Sequence, residues 1–95
     1  MLKIDLDAIG WQQPADFYNA LLAYLGAPSW HGHNLNALDD SVFGGNINEV
    51  EPPFRIVVHH AGNVDEELQA FLREVQTLFD EGRKATTREA YIDLA

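Results

Sequence analysis

The 95-residue sequence contains no cysteine. That excludes disulfides, a thiol nucleophile and any cysteine-based zinc site. No apolar run approaches membrane-spanning length, and the opening Met1-Leu2-Lys3-Ile4-Asp5 lacks the apolar core of a signal peptide. A cytoplasmic protein without membrane contact is therefore expected. Positive charge is also scarce: six Lys and Arg stand against fifteen Asp and Glu, for a formal net charge of −9. The shortage is uneven. From Ile4 to Phe54 there is no Lys or Arg, yet seven acids fall there: Asp5, Asp7, Asp16, Asp39, Asp40, Glu49 and Glu51. Such a surface repels phosphate, which argues against direct nucleic-acid binding. It attracts and steers a basic protein partner, although plain solubility accounts for the total charge equally well.

What is present is enough for one modest core. The composition is 46% hydrophobic, and the length fits one domain spanning residues 1–95. Leu2, Ile4 and Leu6 alternate with Lys3 and Asp5, the pattern of a strand with one buried face. Pro14 suits a first helical position and Asp16 a first turn. Phe17, Ala20, Leu21, Tyr24 and Leu25 then follow helical spacing until Gly26 and Pro28 end it. Ile56-Val57-Val58 lacks alternation, so a strand over Phe54–Val58 is predicted to be covered on both faces. Asn63, with Glu66 three residues on, reads as a capping box. It opens a helix whose stripe runs through Val64, Leu68, Phe71, Leu72, Val75, Leu78 and Phe79, closed by Gly82. Ala90, Ile92 and Leu94 alternate in a last strand.

The order is β-α-α-β-α-β. Helices between successive strands imply right-handed crossovers and a parallel sheet. If every crossover moves the same way, the result is a two-layer α/β fold with sheet order 1-2-3 and all helices on one face. No repeat or low-complexity segment interrupts it.

The stretch Ser29–Gly45 stands apart. Wound at about 100° per residue, Leu35, Leu38 and Val42 gather on one side, while Asn36 and Asp40 point the other way, with Asp39 and Phe43 at the margin. Adjacent carboxylates such as Asp39 and Asp40 diverge on a helix, which is poor geometry for an acid–base dyad. His31 and His33 form only a weak metal signal, and His59 and His60 point to opposite faces of a strand, so no metal or other cofactor is expected. Ser41 lacks a nucleophile-elbow context. Gly44-Gly45 has no phosphate-loop partners. Nothing here makes an enzyme. Recognition fits better: Trp30, His31 and Phe43 supply aromatic area of the kind enriched at binding hot spots, and Asp40 a charged anchor beside them. Trp30 covering the core is the competing reading.

Trp30-His31-Gly32-His33-Asn34-Leu35-Asn36-Ala37-Leu38-Asp39-Asp40 resembles the motif of the barstar-like family of intracellular ribonuclease inhibitors. That motif runs aromatic, aromatic, Gly, variable, Asn-Leu-Asp-Ala-Leu-Trp-Asp. The likeness extends loosely over the whole chain, including Asp16-Phe17-Tyr18 and Glu81-Gly82. The resemblance implies a two-layer fold with a 1-2-3 parallel sheet. It also implies a non-enzymatic inhibitor or antitoxin that plugs a ribonuclease active site, its acids standing where substrate phosphates would. On that likeness Trp30 and Asn34 would be loop contacts, Asp40 the central carboxylate, Gly44 or Gly45 a backbone contact and Glu81 a peripheral acid. His31, Asn36, Asp39 and Phe43 complete the expected contact surface. The departures are Asn36 for the first helix acid, Asp39 for the Trp, His31 for a Tyr and Thr77 for an acid of the last helix. They imply a basic ribonuclease or toxin other than the family's usual target, or a basic partner that is not a nuclease.

Overall fold

The computed structural model describes all residues, Met1–Ala95. Its elements are β1 (Leu2–Asp7), α1 (Pro14–Leu25), α2 (Leu35–Asp39) running directly into a π-helical turn (Asp40–Gly44), β2 (Phe54–His59), α3 (Glu66–Ala85) and β3 (Ala90–Leu94). The three strands pair in parallel in the order β1-β2-β3, with Ile4, Ile56 and Ile92 in register. The two-layer α/β architecture expected from the sequence is the one observed. No helix is long and apolar enough to cross a membrane.

The core is a single cluster of 22 buried residues between the sheet and the helices. The sheet contributes Ile4, Leu6, Phe54, Ile56, Val58, Ala90 and Ile92; α3 contributes Leu68, Leu72, Val75 and Phe79. β2 departs from the reading of its apolar run. It alternates, with Phe54, Ile56 and Val58 buried and Arg55, Val57 and His59 half-exposed. Helices cover only one face, so the second face must be made tolerable to water by charge. Arg55 pairs with Asp93 at 2.8 Å, and His59 with Asp5 at 2.8 Å. The guanidiniums of Arg55 and Arg83 lie over the Tyr91 ring at 4.4 and 4.5 Å.

Helix ends follow backbone chemistry. The Asp16 carboxylate accepts from the Gln12 and Gln13 amides at the start of α1. Gly26, at φ 65°, closes it in the left-handed conformation that glycine takes without strain. α3 begins later than expected. Asn63 lies in a short 3₁₀ turn, Val64 turns into the core, and the cap is Asp65, whose carboxylate accepts from the Leu68 amide at 2.9 Å. α3 also runs past Gly82 to Ala85, so Gly82 is an interior helix residue rather than a stop.

Candidate functional site

The site is built by the segment from Ser29 to Gly45. Its helix starts at Asn34, whose side-chain oxygen accepts from the Ala37 amide at 2.8 Å while its backbone is extended, not left-handed. After one turn of α2 the spacing widens. The Gly45 amide donates to the Asp40 carbonyl at 3.1 Å, five residues back, as a π turn requires. A wider turn shrinks the angular step per residue, so Ser41, Val42 and Phe43 are all buried. Asn36, Asp39, Asp40 and Gly44 are left exposed.

Two expected contact residues are turned inward, Phe43 by the wider turn and His31 by its contact with Ser41. Phe43, placed at the helix margin by regular spacing, is 7% exposed and packs edge-on against Phe79 at 5.5 Å. His31 is 6% exposed. Its Nδ1 is 2.7 Å from the Gly32 carbonyl and its Nε2 is 2.8 Å from Ser41 Oγ. Trp30, one residue before, is 73% exposed and does not cover the core. Gly44 is open, with nothing within 4 Å of where a side chain would begin. Gly45, at φ 81°, instead packs against Arg88 and Glu51, which are themselves paired at 3.2 Å.

A groove of about 440 Å³ runs between α2 and α3. Asn36 and Asp39 line one wall, and Glu74, Thr77 and Glu81 the other, with Leu35, Leu78 and Ala85 supplying apolar surface. No Lys or Arg lines it. The structure thus brings Asn36, Asp39 and Glu81 together in one groove, while Asp40, Trp30 and Gly44 are exposed outside it. Glu74 escaped the sequence reading. Its spacing to Leu78, Glu81 and Ala85 marks one helix face, but only the approach of α2 makes that face a wall.

The histidines do not converge. His33 stacks on Tyr18 at 5.6 Å, whose phenol is pushed above its usual pKa by burial and secondarily by the charge of Glu74. His59 and His60 do not point to opposite faces as expected: β2 ends at His59, His60 turns at φ 61°, and both side chains reach the same face of β1, each with a separate partner, Asp5 and Asp7. No three His, Asp or Glu side chains group closely enough to hold a metal ion. His31 and Ser41 stand at the distance of a base and a nucleophile, but Ser41 is fully buried, which closes the pair to any substrate.

Fold and surface together define a class: a small two-layer α/β protein whose loop and second helix present an acidic face beside an exposed Trp. The family model described as Barstar (barnase inhibitor) matches residues 1–93, and the chain belongs to that family. No curated protein matches it.

Proposed function

We propose that this protein inhibits a basic ribonuclease by laying the exposed side of Ser29–Gly45 over the enzyme's active site. The observation that carries the reading is the cation-free acidic groove. Asp39, Glu74 and Glu81 line it, Asp40 and Trp30 are exposed in the neighbouring segment, and the chain belongs to a family described as barnase inhibitors. A nuclease active site concentrates cationic groups to bind phosphate, so a carboxylate face is complementary to it in charge and excludes its substrate. Asp40 serves as the central carboxylate, Trp30 and Asn34 as loop contacts, Gly44 as the point of close backbone approach, and Glu81 as a peripheral acid. Binding would take place inside the cell that makes the inhibitor.

A different target within the same mechanism is favoured by the helix itself. Asn36 carries no charge where the family motif has an acid, and Asp39 turns a carboxylate into the groove where the motif has Trp. A basic toxin other than barnase, with a cation directed at the groove, fits that redistribution. The test titrates the protein against barnase with a fluorogenic RNA substrate. In parallel, its partners are captured from its own cell extract and the bound fraction is assayed for ribonuclease activity. Inhibition of barnase, or captured ribonuclease activity that Asp40→Ala abolishes, is expected. A protein that neither inhibits barnase nor retains any ribonuclease does not have this function.

A further inference from the structure

The two halves of the candidate site are joined by one buried contact, and its direction follows from hydrogen accounting. The Gly32 carbonyl can only accept, so His31 Nδ1, 2.7 Å away, carries a proton. In the neutral ring Nε2 is then an acceptor, and the Ser41 hydroxyl 2.8 Å away donates to it. That hydroxyl has a single proton, which it divides between Nε2 and the Leu38 carbonyl, to which it also donates at 3.2 Å. His31 thus bridges a loop carbonyl and a side chain of the π turn, in a position 6% exposed where water does not compete.

The placement of the pair gives it a role. His31 directly follows Trp30, and Ser41 directly follows Asp40. Trp30 is 73% exposed and Asp40 lies on the exposed side of the turn. Two further contacts bind the loop to α2. Asn34 caps it at the Ala37 amide, and Gly32 is packed so closely that a Cβ there would lie 2.7 Å from Asn34 Nδ2 and 3.3 Å from Ala37 Cβ. Both act at the start of the helix. Only the His31–Ser41 bond reaches the π turn.

We infer that His31 and Ser41 are positioning residues: their buried hydrogen bond fixes Trp30 relative to Asp40 and so preorganises the two contact residues before a partner arrives. The inference rests on the proposed contact roles of Trp30 and Asp40. It makes its own demand on the free protein. Preorganisation lowers the ordering cost of binding, so its loss appears in a faster dissociation rate.

The experiment compares wild type with Ser41→Ala, His31→Phe and the double variant. His31→Phe keeps a ring in the socket and removes both polar contacts. The His31 amide, bonded to the Pro28 carbonyl, and the Gly45 amide, bonded to the Asp40 carbonyl, report on the loop and the π turn. In Ser41→Ala both are expected to exchange with deuterium about five- to tenfold faster, with α3 amides at Leu72 and Val75 unchanged. Ser41→Ala should cost less in the His31→Phe background than in the wild type, because only its bond to the Leu38 carbonyl is left to lose. Imidazole ¹⁵N spectra of the wild type should show the neutral ring protonated at Nδ1. In the barnase inhibition assay, or with whichever ribonuclease is captured, Ser41→Ala should raise the dissociation rate and leave the salt dependence of association intact. Unchanged exchange at His31 and Gly45, additive effects of the two substitutions, or an Nε2-protonated neutral ring would each overturn the inference. A protein that inhibits no ribonuclease refutes the proposed function, while exchange and spectra still decide the positioning role.

Discussion

Gly82 of α3 packs so closely on Phe43 of the π turn that a Cβ on Gly82 would lie 2.5 Å from the aromatic ring. This contact joins the longest helix to the segment that presents the acidic residues, and it requires the missing side chain. In an exposed helix interior, Gly→Ala stabilises by about 1 kcal/mol. Here the added methyl drives the ring out of place, and overpacking costs about 1–3 kcal/mol. Gly82→Ala is therefore expected to lower the urea midpoint. Phe43→Leu in the same chain should recover part of the loss. A Gly82→Ala protein more stable than wild type would show that the ring has room to move.

Asp40 is exposed on the π turn, outside the core, so its removal should act on binding rather than folding. Asp40→Ala is expected to weaken inhibition of the target ribonuclease by about 2 kcal/mol or more, the scale of a binding hot spot, with an unchanged melting temperature. Trp30→Ala and Asn36→Ala should cost less. Titrations with each variant rank them directly, and an Asp40→Ala protein that inhibits fully would remove the central carboxylate from the mechanism.

The groove acids make a separate claim about rates. Exposed charges act over about 10 Å at 0.1 M ionic strength and about 3 Å at 1 M. Association measured by stopped flow should therefore slow steeply as salt rises. Asp39→Asn and Glu81→Gln should each flatten that dependence. If neither does, the groove faces away from the partner.

The paired aspartates of β1 set an acid limit on stability. The hydrogen bond from His59 holds Asp5 below its ordinary pKa of 3.8, and the Ile9 amide, then His60, do the same for Asp7. With folded values below unfolded ones, the unfolded chain binds more protons in the window between them, so stability rises with pH there. The contribution is complete only above about pH 5, clear of the ordinary value, and is lost progressively as pH falls through the ordinary and then the folded values. His59→Ala should leave a shallower decline in stability below pH 4 than wild type, read by urea unfolding across that range. An unchanged slope would mean that solvent screening leaves the Asp5–His59 pair without weight.

Much of the fold was readable because it rests on local periodicity. The alternation in Leu2–Leu6, the stripe from Leu68 to Phe79 and the β-α-α-β-α-β order leave few ways to arrange three parallel strands. The apolar run of β2 misled because Val57 is as apolar as Ile56, although its side of the sheet is uncovered. Composition records what a residue prefers, not which layer lies over it. Asn63 misled for a related reason: Val64 had to enter the core first, and Asp65 was left to cap α3.

For the site, the sequence by itself determined that Ser29–Gly45 is acidic and free of Lys and Arg, that Asn34 could open a helix there, and that Leu35, Leu38 and Val42 would face the core, of which Leu38 and Val42 are buried and Leu35 is half-buried at the groove. Those are properties of residue type and of neighbours within a turn. Only the tertiary structure decided which aromatics face outward. The π turn rotates Phe43 onto Gly82 and Phe79, and Ser41 draws His31 inside, leaving Trp30 exposed. Glu74 and Glu81 oppose Asp39 only because α3 packs beside α2. A groove between helices some forty residues apart in sequence is set by how their surfaces fit, which no local pattern encodes.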